Sequence, residues 1–149
     1  MQIRIPKLSF VFLTMACYVV NIIWNVLTIT IFPVTQSQTG TENFIANESI
    51  WLTFLFAGIV GPIVEELIFR GLVMTWLQRN KKYYLDLLVS ALLFGLAHTI
   101  SYQFVLSDFI QYAGTGLIFA CLFRKTQSLG YSIALHLFIN NIALLLLYQ

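Results

Sequence analysis

Read from its start, the chain is a succession of long apolar stretches separated by short polar ones: Leu8 to Val34, Ile50 to Leu77, Leu85 to Tyr102, Phe109 to Phe123 and Leu129 to Tyr148. The apolar positions run on continuously, without the period-two alternation of barrel strands, so each stretch predicts a helix. A bilayer core of about 30 Å takes roughly 20 helical residues, and backbone facing lipid must satisfy its own hydrogen bonds. The pattern therefore predicts an all-α, polytopic transmembrane bundle of about five segments. The fourth stretch is short for a full span, so it either begins nearer Val105, lies shallow or forms a tilted half-helix. The first is much longer than the roughly 7 to 15 apolar residues of a signal peptide, and is read as a retained helix.

Charge orients these segments. Arg4 and Lys7 precede the first, Arg79, Lys81 and Lys82 follow the second, and Arg124 and Lys125 follow the fourth. Basic residues are enriched in cytoplasmic loops. A cytoplasmic N-terminus puts all seven on one side, while the opposite loops carry Glu42, Glu48 and Asp108 and no basic residue. Trp51, Trp76, Tyr83 and Tyr84 stand near helix ends, where an aromatic belt places them.

Composition narrows the function classes. Of the 149 residues 59% are hydrophobic and 9% charged, with a net charge of +2 and a mean hydropathy of +0.84. Such a chain cannot cover a water-soluble surface, lacks the clustered basic stripe of a nucleic-acid binder, and is too rich in aromatics for disorder. Cys17 and Cys121 lie inside apolar runs with no ligand spacing, which makes them packing residues. Without an internal repeat or a long linker, residues 1–149 are expected to form one integral-membrane domain.

Polar side chains inside the spans carry the chemistry. A charge at the centre of a membrane helix costs about 2.5 to 3.5 kcal/mol on insertion scales and marks a candidate site. The second segment holds Glu65, Glu66 and Arg70. Glu66 and Arg70 are four apart and share a face. Glu65 is turned about 100° away, and an unpaired carboxyl in a low-dielectric site is suited to proton transfer. The chain's histidines head two further pairs one turn apart, Phe94 with His98 and His136 with Asn140. At about 1.5 Å per residue, Glu65, His98, His136 and Asn140 come to similar depth. Pro62, Gly58, Gly61, Gly71 and Gly95 allow a broken helix and close packing. Asn21 and Asn25, one turn apart in the first helix, are read as interhelical hydrogen-bonding residues.

Glu65-Glu66-x-x-x-Arg70, Phe94-x-x-x-His98 and His136-x-x-x-Asn140, in that order on successive apolar helices, resemble the three signature motifs of the CAAX protease and bacteriocin-processing (Abi) family of intramembrane glutamic endopeptidases. The likeness runs from Trp51 to residue 149. It implies peptide-bond hydrolysis within a bacterial cell membrane, without metal or other cofactor. Glu65 and His98 would activate a water, His136 and Asn140 would stabilise the oxyanion, and Glu66, Arg70 and Phe94 would support the site. The implied partner is a peptide or membrane-protein substrate, in bacteriocin self-immunity or peptide maturation. Family members commonly have more helices, so a more open cavity or a covering second protomer is expected. Glu, His and His can also bind zinc, although the His-Glu-x-x-His pattern is missing. Two readings from other classes are a non-catalytic immunity or binding protein and a proton-coupled carrier.

Overall fold

The computed structural model describes residues 8–32, 49–77, 84–100 and 104–148. Among them are five helical segments: α1 (Leu8–Ile31), α2 (Ile50–Leu77), α3 (Leu85–Thr99), α4 (Leu106–Thr126) and α5 (Leu129–Leu147). No strand occurs among the described residues. Four of the five are long and apolar enough to cross a bilayer, α3 being the short one. The protein is a multi-pass integral-membrane helix bundle. Large apolar side chains lie exposed along its outside, from Phe12 and Met15 on α1 to Leu145 and Leu146 on α5, as a surface solvated by acyl chains requires.

The segment that is short differs from the sequence expectation. α4 runs for 21 residues, about 30 Å at the helical rise, and begins at Leu106, close to the Val105 start that the sequence also allowed, so it is long enough to span. α3 has only 15. The fourth stretch reads as short because Ser107, Asp108, Gln111 and Thr115 dilute its hydropathy; the helix nevertheless continues through them and turns Gln111 and Thr115 into the bundle. Most of the basic residues that set the expected orientation, Arg4, Lys7, Arg79, Lys81 and Lys82, lie outside the described residues, as do Tyr83 and the loop over residues 33–48.

α3 and α4 pack closely because both are small where they cross. A Cβ on Gly95 would stand 2.9 Å from Ala113 Cβ and 3.0 Å from Phe109 O. One on Gly116 would stand 2.9 Å from Phe94 Cβ. Small residues at such crossings let dispersion act where lipid offers no hydrophobic drive. At the other end of this pair, Arg124 in the last turn of α4 bonds Asp86 in the first turn of α3. Its guanidinium also lies 4.2 Å from the Tyr84 ring centroid. Each charge suits the helix end it occupies.

α2 is not a uniform α-helix. Phe54–Val60 and Leu67–Met74 are π-helical and bracket an α-helical piece, Gly61–Glu66, that holds Pro62 and both glutamates. Pro62 has no N–H, so one backbone donor is missing in the preceding turn, where Ala57 and Gly58 present their carbonyls. α5 supplies side-chain amides instead. Asn140 Nδ2 donates to Ala57 O at 3.1 Å and Asn141 Nδ2 to Gly58 O at 2.8 Å. In lipid each unsatisfied backbone group costs several kcal/mol. The broken helix and the two asparagines therefore belong together, and they fix α5 against α2.

Candidate active site

The two neighbouring glutamates have different surroundings. Glu66 is fully buried and stands 3.2 Å from the guanidinium of Arg70, which is equally buried. Arg70 also donates to Gly116 O at 2.7 Å. Its guanidinium carbon lies 4.9 Å from the ring centroid of Phe94 and 5.4 Å from that of Phe119. Pairing, a backbone acceptor and aromatic faces together make the buried cation tolerable. The 30% exposed side chain of Glu65 opens instead onto a cavity of about 370 Å³.

Both histidines converge on Glu65. His98 Nε2 is 3.6 Å and His136 Nε2 3.7 Å from Glu65 Oε2. Their far nitrogens are fixed differently. His98 Nδ1 lies 2.9 Å from Phe94 O; a carbonyl only accepts, so Nδ1 carries the proton and neutral His98 presents a bare Nε2. His136 Nδ1 lies 3.1 Å from Glu66 Oε1 and donates to that Arg70-paired carboxylate. Imidazole nitrogens on opposite sides of the His136 ring thus meet the two glutamates, which the helical turn between residues 65 and 66 has aimed apart. Asn140 lines the same cavity, with one of its N–H groups given to Ala57 O.

Phe94 joins these parts. It is 1% exposed, with its centroid 4.4 Å from that of His98, 5.8 Å from that of His136 and 5.4 Å from that of Phe69. Glu65, Phe94, His98, His136 and Asn140 therefore line one cavity, and the fully buried Glu66 and Arg70 stand behind it, reaching it through His136 and Phe94. Among the described residues, no three of His, Cys, Asp and Glu are grouped so as to hold a metal ion.

α4, which carries no motif, supplies what the sequence did not reveal. Tyr112 stacks on His98 at 4.4 Å and 21°. Phe119 lies 4.7 Å from His136. Asn21 donates to Thr115 Oγ1 at 3.2 Å and Gln111 to Asn25 Oδ1 at 2.9 Å, tying α1 to α4 along the cavity wall. The available signal was spacing: Tyr112, Thr115 and Phe119 recur at helical period, and Gln111 with Thr115 are polar residues one turn apart within an apolar run.

Comparison with known proteins decides the family. The model for type II CAAX prenyl endopeptidases, Rce1-like, matches residues 47–142, a range that includes every residue of the three motifs. The chain belongs to this family. The CAAX-protease resemblance of the motifs is thereby borne out. Within the family's wider circle the chain is 28% identical over 99 residues to Bacillus subtilis YdiL, whose designation as a membrane peptidase is provisional. It is 33% identical over 108 residues to the UPF0177 protein YbdJ of Lactococcus lactis. It is 29% identical over 113 residues to the membrane-embedded CAAX protease MroQ of Staphylococcus aureus. These matches cover 66%, 72% and 71% of this chain but 38%, 44% and 44% of those relatives, so the chain spans less than half their length. No solved structure matches it significantly.

Proposed function

We propose that this CAAX-protease-family chain is an intramembrane glutamic endopeptidase, hydrolysing a peptide bond of a peptide or membrane protein with a water held between Glu65 and His98. The observation that carries the reading is the partly open Glu65 carboxylate with His98 Nε2 at 3.6 Å, beside a fully buried, paired Glu66. An ionised carboxylate and a neutral Nε2 are both acceptors. A water placed between them gives one O–H to each and turns a lone pair outward.

That lone pair attacks the scissile carbonyl carbon while Glu65 takes the proton, the geometry that general-base catalysis needs. The carbonyl oxygen becomes an oxyanion. Asn140 has a second N–H beyond the one given to Ala57, and His136, oriented through Nδ1 by Glu66, turns Nε2 toward the cavity, where that nitrogen donates once it carries a proton. Preorganised donors in a site with little competing water stabilise such charge strongly. Collapse of the tetrahedral intermediate breaks the C–N bond, and the proton held by Glu65 passes to the leaving amine. The products are a carboxylic acid and an amine, and transfer of the acid's proton to the amine leaves a carboxylate and an ammonium; the sequence of steps uses protein groups and water alone.

The biological setting we propose is peptide maturation or bacteriocin self-immunity in a bacterial membrane, following the motif resemblance. Comparing the membrane peptidome of cells that carry the wild-type chain with that of cells carrying Glu65→Ala tests this. Peptides that accumulate uncut only with Glu65→Ala support it. Identical peptidomes, with both proteins inserted at equal levels, contradict it.

A further inference from the structure

The cavity beside Glu65 does not end there. A second space of about 610 Å³ lies between α1, α4 and α5 and shares Asn21, Asn25, Gln111 and Tyr112 with the first. Its outer walls are apolar, with Val26 on one side and Leu146 on the other, 58% and 66% exposed. The combined groove therefore leads from Glu65 to the lipid-facing surface between α1 and α5. Among the described residues that line the outer space, none is charged.

One strip of the wall is polar. Asn25 donates to Asn21 O and Oδ1 at 2.9 and 3.1 Å, Gln111 donates to Asn25, and Asn21 donates to Thr115. A side-chain amide has two N–H donors and two acceptor lone pairs, so these bonds leave Asn21 and Gln111 each with a donor and an acceptor to spare, and Asn25 with one acceptor lone pair. An acyl chain offers nothing to such groups. Asn21 and Asn25 also precede the residues matched by the family model, so α1 adds them to the shared core.

The chemistry that fits is an unwound peptide backbone. A helix must be opened before a protease can reach its bonds, and every freed N–H or C=O in lipid needs a partner at a cost of several kcal/mol. Amides one helical turn apart are separated by about 6 Å along α1. Alternate residues of an extended chain repeat every 6.6 Å or so. The spacings match closely enough for the strip to serve successive backbone groups while the apolar walls take side chains.

We infer that the α1/α5 groove is the substrate entry site, binding an extended, uncharged membrane peptide whose backbone is read by Asn21, Asn25 and Gln111. The inference deepens the endopeptidase reading and rests on it. The test uses the full chain in lipid nanodiscs, with a biotinylated Leu/Ala membrane-spanning peptide carrying a central Gly-Ser-Ala-Gly stretch as probe. Val26→p-benzoylphenylalanine in a Glu65→Gln background reports binding without turnover, and Leu72→p-benzoylphenylalanine, on the far lipid-facing surface, is the control.

The expected result is crosslinking of the peptide at position 26 and not at 72. Adding Ile142→Trp, which fills the outer space, should abolish it. N-methylation of the central amides should weaken it about tenfold or more, the loss of one or two hydrogen bonds, and aspartate in the central stretch should weaken it as well, because the groove offers its charge no partner. Equal crosslinking at both positions, crosslinking to lipid instead of peptide, or insensitivity to Ile142→Trp overturns the inference. The two readings separate cleanly: hydrolysis by the otherwise wild-type chain with KM unchanged by Ile142→Trp defeats the groove alone, whereas a peptide that crosslinks and is never hydrolysed defeats the endopeptidase reading alone.

Discussion

Glu66 accepts from His136 Nδ1 at 3.1 Å while Glu65, one residue earlier, faces the other nitrogen of the same ring at 3.7 Å. Adjacent acids on a helix point about 100° apart, and the imidazole fills the angle between them. The relationship assigns the acids different work: Glu66 holds His136 and Arg70, and Glu65 is left to the cavity.

The buried pair makes the first prediction. Removing one partner of a buried ion pair costs about 3 to 5 kcal/mol, because the other charge stays behind uncompensated. Glu66→Ala should therefore lower the thermal midpoint of the protein in detergent far more than Glu65→Ala, whose side chain is partly open. Equal midpoints for the two variants would contradict the division of roles.

Pro62 and the two asparagines make the second. Asn141→Leu leaves Gly58 O without its side-chain donor, and an unsatisfied buried acceptor costs about 1 to 3 kcal/mol. Pro62→Ala restores a backbone N–H that can reach the same region. In a double-mutant cycle followed by denaturation, Asn141→Leu should cost measurably less in the Pro62→Ala background. Strict additivity would show that the asparagine does not replace the missing donor.

The α3/α4 crossing makes the third. Gly95→Val forces a side chain against Ala113 and the Phe109 carbonyl, and overpacking of this kind costs about 1 to 3 kcal/mol. Gly130→Ala meets only Ser128 Oγ, at 3.6 Å, and should stay within about 0.5 kcal/mol of wild type. Thermal denaturation of the two variants side by side checks the contrast.

The ring stack on His98 makes the fourth. Tyr112 and Phe94 both pack against the His98 ring, so Tyr112→Leu should leave the fold intact and loosen the imidazole. A drop in kcat of about tenfold with KM little changed is expected for a residue that positions a catalytic group. A rise in KM alone would place Tyr112 in substrate binding instead.

What could be read from the sequence follows from what lipid enforces. Backbone in a bilayer must be helical, so apolar length alone located α1, α2 and α5 within a few residues. The helical angle separated Glu65 from Glu66, and its repeat paired Glu66 with Arg70. Two things stayed hidden. Lipid is as apolar as leucine, so hydropathy does not say which face meets which neighbour, and nothing in the apolar run marks Tyr112 and Phe119 of α4; the polar residues at the start of that helix make it look short. The π-helical turns of α2 have no composition of their own. Pro62 signalled a break, but only the structure shows Asn140 and Asn141 closing it.

Hydrolysis by the purified protein is the direct test of the proposal that Glu65 and His98 activate the attacking water. Wild type, Glu65→Gln and His98→Ala are reconstituted in the same lipid, their thermal midpoints compared, and cleavage of one membrane peptide followed by mass spectrometry. Both variants should remain folded and lose at least about 10² to 10⁴ in kcat, the usual contribution of a positioned acid or base. Wild-type turnover by folded Glu65→Gln would contradict the proposal.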